Sequence, residues 1–234
     1  MKIGVISDIH ANLPALESVF EAGRVENIKH WYCLGDIVSY YYWPAECIEL
    51  LREHSVDCIA GNHDRMLCNM YNQNHSSFND YIKKYGSGIK VALDTLTNDQ
   101  VDWFCALPEK LNVSIDGYKV LLCNGSPWDL DYYVYPDADN KVRQRMKKTG
   151  YDLIFFGHTH YPVLWDDSRV IVVNPGSVGQ TRDSKPGACW AIWDTEDNSI
   201  SLRRETYNYE VVIEACCRYD PDNSYLQNIL TRRK

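Results

Sequence analysis

Residues 1–10 read MKIGVISDIH. Lys2–Ser7 is a short apolar run with β-branched residues, the pattern of a buried strand. It ends in Asp8-Ile9-His10, which puts two polar side chains two positions apart. The same order then repeats. Leu13–Ile28 carries Leu13, Leu16, Val19, Phe20 and Val25 near helical spacing, with Pro14 suited to a first turn. Trp31–Leu34 predicts a second strand, followed by Gly35-Asp36. Pro44–Glu53 predicts a second helix, and Val56–Ala60 a third strand that leads into Gly61-Asn62-His63-Asp64. Strand–helix–strand–helix–strand argues for parallel pairing.

Further along, residues from Asp64 to about Leu107 read as mainly helical and more polar, with Pro108 as the stop. Leu111–Ile115 and Tyr118–Cys123 flank Asp116-Gly117, a hairpin signal. Ala138–Thr149 reads as a basic amphipathic helix. Leu153–Phe156, Val163–Trp165, Val170–Val173, Ala188–Trp193 and Ile200–Arg204 are strand-like, with Asp197-Asn198 as a turn. A helix near Glu210–Cys217 and a polar tail finish the chain. Strands in both halves predict an α/β fold of two stacked sheets with helices outside. The expectation is one domain over 1–234 with a mainly helical insert at about 64–107.

Composition bounds the function. The 234 residues hold 24 Lys+Arg against 32 Asp+Glu, a formal charge of −8. No apolar run approaches the roughly 18 residues of a membrane span. MKIGVISDIHANLP has no apolar core with a small-residue cleavage site, so no secretory signal is read. An acidic chain is poorly suited to gripping long nucleic acid by charge. The nine cysteines include no C-x-x-C pair, and most sit in apolar runs. They read as small buried hydrophobes in a reducing cytoplasm.

The chemistry gathers at strand ends. Asp8-Ile9-His10, Gly35-Asp36, Gly61-Asn62-His63-Asp64, Asn124-Gly125 and Gly157-His158-Thr159-His160 each follow a strand-like run. Open α/β sheets bind ligands at these carboxyl ends. Four of the seven histidines fall there. Two divalent ions about 3.5–4 Å apart need an anionic bridge, which a carboxylate such as Asp36 supplies. Mixed oxygen and nitrogen donors suit Mn, Fe or Zn better than Ca. Such a pair lowers the pKa of a bridging water and clamps a phosphate.

The ordered set D-x-H, G-D, G-N-H-D and G-H-x-H resembles the calcineurin-like metallophosphoesterases. ISDIHANLPAL, CLGDIV, AGNHD, GHTH and NPGSVGQTRD look like the small bacterial phosphodiesterase branch, from Met1 to at least Asp183. The resemblance implies a four-layer α-β-β-α sandwich of two stacked mixed sheets. It implies two divalent metal ions, Mn first, with Fe, Zn or Ni as options. Asp8, His10 and His160 would hold one ion, Asp36 would bridge, and Asn62 and His158 would hold the second. His63 would contact the phosphate and act as general acid, oriented by Asp64. Where the family reads H-G, this chain has Asn124-Gly125. An amide oxygen is a poorer donor than imidazole to a late transition metal. Variation that still binds, weakened activity and a deliberate His→Asn replacement all remain open there.

Around the centre, Tyr40-Tyr41-Tyr42-Trp43 reads either as an aromatic wall for a base or as packing under a loop. Arg65, Arg182 and Lys185 are candidates to steady phosphate oxygens, or are solvated charges. Asn12 either positions substrate or buttresses the first loop. His30, His54 and His75 read as filler, and Lys141–Lys148 as a solvated basic face. The expected activity is hydrolysis of small phosphate esters, diesters ahead of monoesters, with nucleotides among the substrates. The alternatives are a phosphatase or a non-catalytic metal-binding scaffold that engages protein partners.

Overall fold

In the computed structural model, which describes residues 1–72, 78–167 and 169–232, the apolar runs become strands whose alternate residues face two different cores. In β1 (Lys2–Ile6), Ile3 and Val5 face the partner sheet while Ile6 faces helices. In β5 (Tyr118–Cys123), Val120 and Leu122 point inward, and Leu121 and Cys123 outward. β6 (Leu153–Phe155) divides the same way, with Leu153 and Phe155 inward and Ile154 outward. A strand buried on both faces has no polar side to show, hence the continuous apolar runs.

One sheet has the order β10-β9-β1-β2-β3. It uses β2 (His30–Cys33), β3 (Asp57–Cys58), β9 (Ala188–Asp194) and β10 (Ser199–Glu205). β1, β2 and β3 run parallel, and β9 and β10 close the edge antiparallel. The other sheet has the order β4-β5-β6-β8-β7. It adds β4 (Lys110–Ile115), β7 (Val163–Asp167) and β8 (Val170–Asn174), with β5, β6 and β8 parallel. The sheets stack through Ile3, Val5, Leu122, Phe155, Val173 and Trp193. The parallel strands of both sheets end at the same edge of the sandwich.

Helices cover the outer faces. α1 (Leu13–Val25) starts at Asn12, whose side chain accepts from the Ala15 N–H, and Pro14 lies in its first turn. α2 (Pro44–Glu53) packs Cys47, Ile48 and Leu51 beside it. The stretch after β3 forms α3 (Asn62–Asn72), α4 (Phe78–Tyr85), α5 (Gly88–Thr95) and α6 (Asn98–Cys105), the last opened by a Thr97/Gln100 capping box. α7 (Asn140–Lys147) buries Met146 against the second sheet. Its Arg143 and Arg145 lie over Trp165 and Trp128, so that basic face is partly packed.

Two expectations need correction, and the open choice over the aromatic run falls to packing for Tyr41 and Tyr42. The tail after α8 (Tyr209–Tyr219) is a helix, α9 (Ser224–Thr231), because Leu226, Ile229 and Leu230 follow i, i+3, i+4 and find an apolar surface. That surface is the supposed aromatic wall: Tyr41 and Tyr42 are buried against α8 and α9. Lastly, the cysteines are not all reduced hydrophobes. Cys68 of α3 and Cys105 of α6 form a disulfide, and Cys217 is exposed, while six others are buried free thiols. His30 pairs with Asp57 and His54 stacks on Phe20; His75 lies outside the described residues.

Leu226 is fully buried between α9 and the tyrosines. Leu226→Ala is expected to destabilise the fold by about 2–5 kcal/mol, read as a lowered denaturation midpoint at unchanged slope.

Candidate metal centre

The strand ends deliver their side chains from unusual backbone. Asp8, His10, Asp36, His158 and His160 have φ of 54°, 53°, 53°, 68° and 63°, in the left-handed region. Such residues cost about 1–3 kcal/mol each unless their surroundings impose the conformation. Here backbone bonds do so: Asp8 N–H donates to the Gly35 carbonyl at 3.0 Å and His10 N–H to that of Asp36 at 2.9 Å. Two glycines allow the approach. A Cβ on Gly157 would lie 2.0 Å from Ser7 Oγ, and one on Gly61 would lie 2.1 Å from Asp36 Oδ1.

Asp8, His10 and His160 form one donor group, with ligand atoms all within 4.8 Å of one another. His10 Nδ1 donates to the Val38 carbonyl at 3.1 Å, and His160 Nδ1 to that of Gln180 at 2.6 Å. A carbonyl only accepts, so both rings carry their proton on Nδ1 and present Nε2 as a lone pair. The two Nε2 atoms are 3.0 Å apart, and that of His160 is 3.3 Å from Asp8 Oδ1. Three acceptors thus converge with no donor among them. Asp8 Oδ2 is steadied by Ser7 Oγ–H at 2.6 Å, and both its oxygens by the His158 N–H at 3.1 Å.

Asp36, Asn62 and His158 meet beside it, with Asn124 buried at the end of β5. His63 N–H holds Asp36 Oδ1 at 2.8 Å. A terminal amide atom of Asn62 lies 2.8 Å from His158 Nδ1 and 3.0 Å from Asp36 Oδ2. As oxygen it faces two acceptors, the environment of a cation ligand; turned over, it donates to both. Asn124 Nδ2 donates to the Leu34 carbonyl at 2.9 Å, while its Oδ1 and His158 Nε2 are buried without partners. With Nδ1 of His158 as the lone pair facing Asn62, its Nε2 carries the proton, and the orphaned acceptor is the Asn124 oxygen, which costs stability until something positive meets it.

Burial also opposes charge. It pushes Asp36 well above the usual carboxylate range, helped by Asp64 and Asp8. It holds His10 well below the usual histidine range, helped by His160 and His63, and lowers His63 to about 3. A divalent ion would reverse the preference of Asp36 and reinforce that of His10, favouring carboxylate and neutral imidazole together. The donors present fit a metal.

The remaining candidates sort differently. His63 is buried, its ring centroid 5.2 Å from that of His10, and its Nδ1 is 2.5 Å from the Tyr81 hydroxyl, which meets Ser39 Oγ at 2.7 Å. Asp64 does not orient that ring. Its carboxylate accepts the N–H groups of Ile37, Val38 and Gly61 and fixes the loop carrying Asp36. Asn12 is a buttress: beyond capping α1, its amide donates to the Gly179 carbonyl and the Tyr207 hydroxyl. Tyr40 alone of the aromatic run meets the centre, edge-on to His10 at 4.6 Å. Arg65 is tied to Glu109 and Asp131. Arg182 is largely buried, with Nη2 donating to the Tyr40 hydroxyl at 3.1 Å, while Lys185 is exposed. Sequence reading missed Tyr81, within the insert, and Tyr133, whose ring lies 3.9 Å from that of His158. The run Tyr132-Tyr133-Val134-Tyr135 was the available signal for the second.

Carboxylate, imidazole and amide donors at the joined carboxyl ends of two stacked sheets define a metal-site protein of the α/β-sandwich class. Residues 1–198 match the calcineurin-like phosphoesterase superfamily domain, and the chain belongs to that family. An uncharacterized protein of Methanocaldococcus jannaschii is 33% identical over 91% of this chain and 90% of its own length. A phosphodiesterase of the same organism is 26% identical over 75% of this chain and 83% of its own. The crystal structure of a metallophosphoesterase from Sphaerobacter thermophilus superposes with a TM-score of 0.79 at 27% identity, covering 98% of both chains. The family is metal-dependent, and Asp8, His10 and His160 are placed to serve it.

Removing one of these donors should be felt directly. His160→Ala is expected to weaken Mn binding by more than about tenfold and to abolish most of the thermal stabilisation that Mn gives the native chain, measured by titration calorimetry and thermal melts.

Proposed function

We propose that this chain is a dinuclear-metal-dependent phosphodiesterase acting on small phosphate esters, nucleotide-type esters included. The observation that supports this most is the place of Asp36. Its carboxylate lies against Asp8 of the first donor group and against Asn62 of the second, whose same amide atom meets His158, as a bridge would. Asp8, His10 and His160 would hold one divalent ion; Asn62, Asn124 and His158 the other. Mn leads, because the donors mix oxygen and imidazole nitrogen, with Fe, Zn and Ni as alternatives. When bound, the ions supply Lewis acidity toward phosphate oxygens and activate a water for in-line attack.

The chain's own residues would do the rest. His63, neutral by burial in the free protein, would be charged once a bound phosphate's negative charge favours its imidazolium, and would then protonate the leaving alcohol oxygen from Nε2, the ring nitrogen not taken by Tyr81. The Tyr81 hydroxyl can donate to Nδ1 of the neutral ring or accept from it once the ring is protonated, with Ser39 as its second partner. Tyr81 therefore takes the orienting part expected of Asp64. Arg182, buried beside Tyr40 with no carboxylate within ion-pair distance among the described residues, adds positive potential for an incoming phosphate.

Asn124 is the observation that favours the second reading, a non-catalytic metal-binding scaffold. The discriminating measurement is Mn-dependent release of nitrophenol from bis(p-nitrophenyl) phosphate. Turnover that chelation abolishes is expected; none at full metal loading would leave the scaffold. Asn124→His is expected to raise both metal occupancy and hydrolysis, and equal metal content and rate would refute the weak-donor account of that position. Tyr81→Phe is expected to cut kcat about tenfold more for a diester with an alkyl leaving group than for the nitrophenyl ester, which needs little protonation. An equal loss on both would reduce Tyr81 to a packing residue.

A further inference from the structure

A groove of about 700 Å³ leaves the centre at Asn62 and His158. One wall is a single face of α3, where Asn62, Arg65, Met66 and Asn69 follow i, i+3, i+4, i+7. Phe104 and Leu107 make its far end apolar, and Tyr133 forms the facing wall. Tyr133 is 47% exposed, an unusual amount for a ring beside a buried centre. It is not loose, however. One contact is the His158 ring at 3.9 Å, and Tyr135 stacks on it at 5.9 Å with planes 12° apart. A ring held in this way loses little freedom when a ligand stacks on it.

The charges narrow the ligand. Among the described residues Arg65 is the one Lys or Arg lining the groove, and its guanidinium is committed to Asp131 and Glu109, both also in the lining. The lining therefore carries more acid than base. A second phosphate would meet two carboxylates and an arginine with no charge to spare. An uncharged planar group meets an aromatic face, apolar side chains and polar groups at the rim, the composition of a base-binding surface.

We propose that this groove binds the alcohol side of the ester as an uncharged planar group of the nucleoside type, stacked on Tyr133, and rejects polyphosphate chains. The inference rests on the phosphodiesterase reading of the adjoining centre.

The test compares two diesters on the Mn-loaded protein: the methyl ester of adenosine monophosphate and the methyl ester of glycerol phosphate. The native chain should prefer the first in kcat/KM. Tyr133→Leu should reduce that preference about tenfold, and Tyr133→Phe should retain it. Loss of preference in the phenylalanine variant, or no preference in the native chain, overturns the proposal. Adenosine itself, titrated by calorimetry, reads the groove without turnover: binding weakened by Tyr133→Leu supports it, and no binding overturns it. If neither ester is cleaved but adenosine binds, the hydrolytic reading fails and the groove stands. The double variant Glu109→Gln/Asp131→Asn frees Arg65 and should strengthen competitive inhibition by ADP about tenfold; unchanged inhibition would show that charge does not set the selection.

Discussion

The contact on which the site depends is the Asp8 carboxylate bridging two sheets. Asp8 leaves β1 in the first sheet, and both its oxygens accept the N–H of His158, which follows β6 in the second. Its backbone carbonyl takes the Gly179 N–H at 3.0 Å and the Ser177 hydroxyl at 2.7 Å, drawing in the loop after β8. Side chains between two packed sheets keep them about 10 Å apart. Here loops from both sheets close that distance at one edge. The closure explains the bare Cα of Gly157 and the left-handed backbone of five donor residues. It also explains why donors far apart in the chain arrive with their acceptor atoms facing one another.

Such a cluster works against the fold that makes it. Asp8, Asp36 and Asp64 are fully or nearly fully buried, and three imidazoles beside them are kept neutral by the same burial. Among the described residues, backbone N–H groups and Ser7 donate to Asp8, and backbone N–H groups to Asp64. The sheet core offsets this, with Trp193, Phe155, Ile3 and Leu34 fully buried a few residues from the polar edge. Strain and unpaired polarity concentrated at one place on an otherwise consistent fold are the usual physical mark of a functional site.

How legible this was depends on the range of the interactions. The strands were readable because burial on both faces writes apolar runs into the chain, and the donors because each sits directly after such a run. Leu226, Ile229 and Leu230 were missed because a single amphipathic turn and a half in a polar tail has no value until a partner surface is known. That surface, Tyr41 and Tyr42, was left open between wall and packing for the same reason: exposed and buried aromatics look alike in sequence. Tyr81 reaches His63 from the helical insert, and Cys68 meets Cys105 across α3 and α6. Neither pairing has a local signature. Asp64 was given the wrong task because adjacency in sequence suggested contact with His63, whereas the first turn of α3 points the two side chains apart, one to the loop amides and one to the centre.

Asn124 brings local geometry and net charge together. Its Nδ2–H occupies the Leu34 carbonyl, and its oxygen is buried without a partner. If Asn124 serves as a donor, that hydrogen bond aims the amide and leaves its oxygen as the donor atom. A neutral oxygen leaves the bound cation more positive than imidazole nitrogen would. That weakens metal retention but strengthens the pull on a phosphate oxygen once the metal is held. Two bound divalent ions would bring the chain from −8 to about −4, with all the added charge inside the cleft. On the dinuclear reading the attraction of substrate would then be a property of metal loading, with the Asn124 oxygen as one of its proposed donors.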